Sequence, residues 1–315
     1  MNFSVLLLVA LPTLALPPLA PGDHLRALTI GEQTRSYLVH IPPAHDPKKL
    51  APVVLAFHSA VMNGPLMARY SGLSEKADQA GFVAVYPNGT GRSNLLLFWD
   101  AGGVRAQPSD DVGFVATLLD DLATVVNVDP NRVYATGMSN GAMMCYRLAS
   151  ELSNRIAAIA PVAGTMATET CRPLRPVPVM HFHGTRDPLV LFGGPDDRTP
   201  KDLFFKSVDA SIQAWALANG CPTLPLIAKL PDLADDGTSV SMTTYGPGKE
   251  GSEVILYVIE GGGHTWPGRS PTLLLPGLGK STKDISASDL IWDFFQRHPK
   301  RTLDESLRLD PPSQK

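Results

Sequence analysis

Short apolar runs alternate with amphipathic stretches along most of this chain. Val53 to Phe57 is wholly apolar, and Phe82 to Tyr86, Ile156 to Val162, Val177 to Phe182 and Glu253 to Ile259 are rich in β-branched and aromatic residues. Runs of that length, bounded by Gly, Pro and Asn, suit strands buried on both faces, as in a parallel sheet. Arg35 to Ile41 reads as an earlier strand. Between the strands lie helical patterns: Leu66 to Ala80, a segment from Asp110 or Asp111 to about Val126, Ala142 to Leu152, Ser207 to Asn219, and Ser286 to Arg297. Acids at Asp110 and Asp111 favour the start of the second, because a helix N-terminus carries partial positive charge. Repeated strand–helix alternation predicts an α/β protein with a mostly parallel, doubly wound sheet and helices on both faces. In such sheets chemistry gathers beyond the C-terminal ends of the strands.

One strand end carries a recognisable nucleophile pattern. Gly137-Met138-Ser139-Asn140-Gly141 follows the β-prone run Arg132 to Thr136 and precedes the helix pattern of Ala142 to Leu152. A serine that attacks a carbonyl must project from a sharp strand-to-helix turn. Gly137 and Gly141, which have no Cβ, leave room for that turn. The backbone N–H of Asn140, opening the helix, is then aimed where an oxyanion would form. Hydrolases built on this corner carry the acid and then the base later in the chain. His264 stands in Glu260-Gly261-Gly262-Gly263-His264-Thr265-Trp266-Pro267-Gly268, just past an apolar strand. Three glycines free the chain there and present an imidazole on a loop, which suits the base. His181 and His183 lie within a strand and read as satisfied core histidines, and His298 ends the last helix at the surface. The acid is Asp187, just past the strand that ends at His183-Gly184, where a carboxylate can hold the imidazole tautomer. Asp196, Asp197 and Asp202 are rivals deeper in a polar loop.

These segments together resemble one family. Gly137-Met138-Ser139-Asn140-Gly141, the His181-Phe182-His183-Gly184-Thr185 run with Asp187-Pro188, and Glu260 to Gly268 are similar to the polyhydroxybutyrate depolymerase/feruloyl esterase group of α/β-hydrolases. Tyr86-Pro87-Asn88-Gly89, Asp110 to Phe114 and Ile159 to Gly164 match as well, so the resemblance runs from about Arg35 to Pro299. It implies the α/β-hydrolase fold and an exported carboxylic ester hydrolase, with Ser139, Asp187 and His264 at the triad positions. It needs no metal and no organic cofactor. Leu55-Ala56-Phe57-His58-Ser59-Ala60-Val61 departs from the pattern, with serine where similar chains usually carry glycine. Backbone N–H groups of Asn140 and of Ser59 or Ala60 are the expected oxyanion donors. Trp99 and Trp266, on loops at the same sheet edge, are candidates for substrate contact.

The rest of the sequence narrows the class. The 315 residues are 44% hydrophobic and 18% charged, enough for a sizeable core. With a net charge of −3 and scattered Lys and Arg, no basic face points to nucleic acid. Residues 1–20 begin Met-Asn-Phe-Ser and continue apolar to Pro12, which reads as a signal peptide without basic residues. That predicts a secreted or periplasmic protein, without stable membrane insertion, whose residues 21–315 form a single catalytic domain. Of the three cysteines, Cys145 reads as a buried thiol, whereas Cys171 and Cys221 sit where they could pair. The expected partner is a small or oligomeric ester. Two rivals remain: a serine peptidase using the same triad on an amide, and a non-catalytic binding module. Modules of that kind usually lack a triad residue, and here all three candidates are present.

Overall fold

The computed structural model describes residues 16–31, 33–93, 95–102, 109–197, 199–270 and 277–301. Residues 1–15, which hold most of the expected signal peptide, lie outside the described residues. The chain runs β1 (Gly22–Ile30), β2 (Gln33–Ile41), β3 (Ala51–Phe57), α1 (Gly64–Ser71), α2 (Leu73–Ala80), β4 (Val83–Pro87), β5 (Thr90–Gly91), β6 (Leu97–Phe98) and α3 (Asp111–Leu122). It continues β7 (Val128–Met138), α4 (Asn140–Glu151), β8 (Ile159–Val162), β9 (Val179–Gly184), α5 (Val208–Ala218), β10 (Leu226–Lys229), β11 (Ser239–Tyr245), β12 (Val254–Glu260) and α6 (Ala287–Arg297). Ten strands form one sheet in the order β1-β2-β4-β3-β7-β8-β9-β12-β11-β10. The central run from β4 to β12 is parallel, and the hairpins at both edges are antiparallel.

Alternation along the central strands explains why helices cover both faces. Val53, Leu55 and Phe57, with Val133 and Ala135, point into one core against Phe114 of α3, Met143 of α4 and Ile212 of α5. Val54 and Ala56, with Tyr134, Met180 and Phe182, point into the other, against Met67 of α1, Leu73 of α2 and Phe294 of α6. Successive side chains on a strand leave opposite faces, so a wholly apolar strand needs a helix layer on each side.

The elements differ from the sequence reading in three places. The expected helix from Leu66 to Ala80 is two helices, because Gly72 adopts φ 66° and ends α1 before α2 begins. That left-handed conformation costs glycine less than any residue with a Cβ. The edge strands β1, β10 and β11 carry no strong apolar run, so pairing with a neighbour decides them. β10 is exposed along its whole length, with Leu226 and Ile227 largely in solvent. Cys171 and Cys221 do not pair, and all three cysteines are free thiols.

A buried ion pair ties β2 to the first turn of α3. Arg35 and Asp111 meet at 2.6 Å with both side chains almost wholly enclosed. The guanidinium lies 3.8 Å from the centre of the Phe114 ring and donates to the Asn88 carbonyl at 3.0 Å. Asp111 also accepts from the Asp100 N–H at 2.7 Å, fixing the loop that carries Trp99. Burial pulls Arg35 down and pushes Asp111 up, each against its partner's charge. Such a pair adds little net stability but is costly to break from one side. Asp111→Ala should therefore destabilise the fold by about 3–5 kcal/mol in urea titration. Replacing Arg35 and Asp111 together by Met and Leu should cost clearly less. Equal losses in the single and double variants would show that the pair does not act as a buried charge couple.

Candidate active site

Four strand ends converge on one region. β7 runs into Ser139, which sits at φ 58° and ψ −122° before α4 begins at Asn140. A non-glycine residue in that region is strained by about 1–3 kcal/mol and persists only where its neighbours fix it. Here the Ser139 N–H donates to the Val162 carbonyl at 2.9 Å, and the Ser139 carbonyl accepts from Met143 N–H at 3.0 Å. A Cβ on Gly137 would lie 2.7 Å from the carbonyl oxygens of Gly141 and Phe57. A Cβ on Gly141 would strike the Phe57 carbonyl. The glycines are required by close approach: neither appears among the positive-φ residues.

β9 leads to Asp187 and β12 to His264, and these two meet. His264 Nδ1 lies 2.7 Å from Asp187 Oδ2, and both residues are buried. The other carboxylate oxygen accepts from the Leu189 and Val190 N–H groups, each at 2.9 Å. Burial alone would raise the Asp187 carboxyl. The hydrogen bond and charge of His264, the nearby His183 and the Leu189 N–H outweigh it and hold the group below its ordinary value. An ionised Asp187 accepts only, so His264 carries a proton on Nδ1, and in the neutral ring Nε2 is then the acceptor. The two loops are laced together: Arg186 N–H donates to the Gly262 carbonyl at 2.8 Å, and Gly261 N–H to Thr185 Oγ1 at 3.0 Å. Asp196, Asp197 and Asp202 are exposed, and His298 pairs with Glu253 at 2.8 Å beside the start of β12.

Ser139, Asn140, Asp187 and Ala60 line one cavity of about 780 Å³, whose walls include Met143, Leu189, Leu191 and Leu203. Among the described residues no hydrogen bond joins the Ser139 hydroxyl to His264. Bonds of that kind often shorten only when substrate engages. A second cavity, about 490 Å³, opens between Arg175, Glu250 and Arg297 and contains none of the candidate site residues.

The loop after β3 is braced by His58, a residue the sequence reading did not single out. Its Nδ1–H donates to the Ser59 carbonyl at 2.8 Å, and its Nε2 accepts from Gly89 N–H at 2.9 Å. The Trp99 indole N–H donates to the His58 carbonyl at 3.0 Å. The Asn140 side chain then clamps the Trp99 backbone, accepting from its N–H at 2.7 Å and donating to its carbonyl at 3.0 Å. Ser59 does not hold positive φ. That conformation falls on Val61, at φ 57°. The Ser59 hydroxyl is buried and donates to the Met138 carbonyl at 3.3 Å. The backbone N–H groups of Ala60, on a half-buried turn at the cavity wall, and of Asn140, the first residue of a helix, donate to no carbonyl or side chain among the described residues.

Trp99 and Trp266 correct the expectation of substrate contact. Both rings are 0% exposed. Trp99 packs edge-on against Phe57, with ring centres 5.1 Å apart, and Trp266 donates through its indole to Ser288 at 3.1 Å. Each ring has turned inward from its loop to cover the end of a core. Among the described residues no cluster of His, Cys, Asp and Glu could hold a metal ion, and no helix is long and apolar enough to cross a membrane.

Residues 35–200 match the family model described as esterase PHB depolymerase. "Putative esterase NocK" of Nocardia uniformis subsp. tsuyamanensis is 32% identical over 86% of this chain and 81% of its own length. Feruloyl esterase B of Piromyces equi is 28% identical over 73% of this chain, which spans 42% of that longer protein. The acetyl xylan esterase structure from Aspergillus awamori superposes with a TM-score of 0.57 at 17% identity, covering 86% of this chain and 99% of that one. At that identity the likeness concerns the fold, which is that of the α/β-hydrolases.

The buried imidazoles make stability depend on pH. Burial pulls His58 down to about 4, the Ser59 carbonyl opposing and Arg35 adding to the shift. His181 and His183 are lowered by burial as well. A histidine whose folded value is depressed binds fewer protons than the unfolded chain below the ordinary value of 6.5, so stability is complete above that pH and declines toward about 4. For His58 alone the loss is about 3 kcal/mol. The thermal midpoint should fall steadily between pH 7 and 4.5. A flat midpoint over that range would rule out buried neutral imidazoles.

Proposed function

The chain belongs to the esterase PHB depolymerase family and is a carboxylic ester hydrolase of that type, and on that premise we propose that it works through an acyl-enzyme on Ser139. The observation that carries this reading is the Asp187–His264 contact of 2.7 Å at the cavity that also holds the strained serine. His264 Nε2 takes the Ser139 hydroxyl proton as Oγ attacks the ester carbonyl carbon. Asp187 holds the Nδ1–H and stabilises the imidazolium. The backbone N–H groups of Asn140 and Ala60 receive the developing oxyanion, with Ser59 bracing the loop that carries Ala60. The imidazolium protonates the departing alcohol, and water then repeats the sequence to release the acid.

The walls of the cavity and the relatives support a substrate class. Met143, Leu189, Leu191 and Leu203 offer an apolar surface for an acyl chain or aromatic ring. Hydroxyalkanoate oligomers, feruloylated sugars and related polyester or cell-wall esters fit that description. The apolar start of the chain supports export to the periplasm or medium.

Ser139→Ala should lower turnover of a nitrophenyl ester by ~10³-fold or more with the fold intact. Activity within tenfold of the parent would sink the assignment. His264→Ala should likewise abolish turnover, whereas His298→Ala should leave it nearly unchanged, since His298 pairs with Glu253 away from the cavity. Hydrolysis of a peptide anilide at a rate matching the nitrophenyl ester would favour a peptidase instead.

A further inference from the structure

Behind Asp187 lies a chain of buried polar groups that the acyl-transfer steps leave unused. Tyr146 OH is 2.8 Å from His181 Nδ1, His181 Nε2 is 3.0 Å from His183 Nδ1, and His183 Nε2 is 2.7 Å from the Val190 carbonyl. All three side chains are essentially without solvent exposure. His181 and His183 stand on the face of β9 that carries Val179, and Tyr146 reaches them from α4 across the same core. For packing alone, aliphatic residues would serve there at no desolvation cost.

The partners fix the direction of every bond. A carbonyl oxygen only accepts, so His183 Nε2 carries a proton and donates to Val190. Burial keeps both imidazoles neutral, with their values lowered. A neutral His183 therefore accepts at Nδ1 from His181 Nε2–H, and His181 accepts at Nδ1 from the Tyr146 hydroxyl. The three bonds point one way, toward residue 190. Val190 is the residue whose own N–H holds Asp187 Oδ1. His183 Nε2 is also 3.5 Å from Asp187 Oδ2, the oxygen that faces His264.

We propose that His183, oriented by His181 and Tyr146, is a positioning residue that pins the turn from Asp187 to Val190 and so sets the carboxylate against His264. This rests on the triad reading given above. The His183 N–H anchors the carbonyl side of Val190, while the N–H side of Val190 and that of Leu189 grip Oδ1. Oδ2 is left with one orientation, toward the base. Without the anchor the turn can swing, and a displacement near 1 Å at a catalytic group costs up to about a hundredfold in rate.

The test compares His183→Leu, which has no donor, with His183→Gln, whose amide can place an N–H near the position of Nε2. Nitrophenyl ester kinetics should show kcat lowered about ten- to a hundredfold in His183→Leu, with KM within about twofold, and partial recovery in His183→Gln. In an Asp187→Asn background, His183→Leu should cost less than about twofold more, because it acts only through that carboxylate. Unchanged kcat in folded His183→Leu, or the full loss repeated on top of Asp187→Asn, overturns the proposal. If His183→Leu does not fold, Tyr146→Phe decides, since its ring still fills the site. A several-fold fall in kcat at constant KM supports the chain, and an unchanged kcat overturns it. Ser139→Ala separates the two readings. Retained activity there removes the triad itself. An inactive Ser139→Ala beside a fully active His183→Leu removes only the positioning role.

Discussion

The strain at Ser139 is bearable only because backbone from three strands closes around it. Its φ of 58° would relax if the turn were free. Val162 at the end of β8 accepts its N–H, and the Phe57 carbonyl at the end of β3 crowds Gly137 and Gly141. Those contacts exist because β3, β7 and β8 are neighbours in the sheet. The sheet order therefore fixes the elbow, and it fixes where the proposed acid and base arrive. β9 lies next to β8 and β12 next to β9, so Asp187 and His264 approach from adjoining strand ends.

Buried polar groups do the fine placement around that frame. His58 couples the β3 loop to Gly89, and the Asn140 side chain couples the elbow helix to Trp99. Arg35 and Asp111 hold the same loop from beneath. Each of these groups would be costly to bury unpaired. Their contacts hold one another in place, so removing one partner strands another. A rigid setting of this kind is what backbone donors require if they are to meet charge as it develops.

Much of this was legible in the sequence because it depends on local chemistry. Apolar runs of strand length disclosed the central strands, and the glycines flanking Ser139 disclosed the turn. Asp187 and His264 could be singled out because each follows a strand end. What escaped depends on contacts between distant segments. Trp99 turns inward because Phe57 and His58 offer it a surface and an acceptor. Trp266 does so because Ser71, Tyr70 and Ser288 gather beneath it. His181 and His183 read correctly as buried, but nothing in their spacing discloses that their bonds end at Val190. β1 and β10 lacked an apolar signature, since each draws its strand form from the neighbour it pairs with.

β10 also determines how crowded solutions of the protein behave. It is one of the two borders of the sheet among the described residues, and its outer backbone groups form a template for another chain. Leu226 and Ile227, with Leu224 close by, make that border sticky. Pro225 and Pro231 flank it, Lys229 sits within it, and the strand is only 4 residues long. Prolines, a lysine and a short span are the devices that keep such borders from growing into fibrils. Colloidal stability thus rests on a few gatekeeping residues far from the chemistry, and changes made there would be felt in shelf life rather than in turnover.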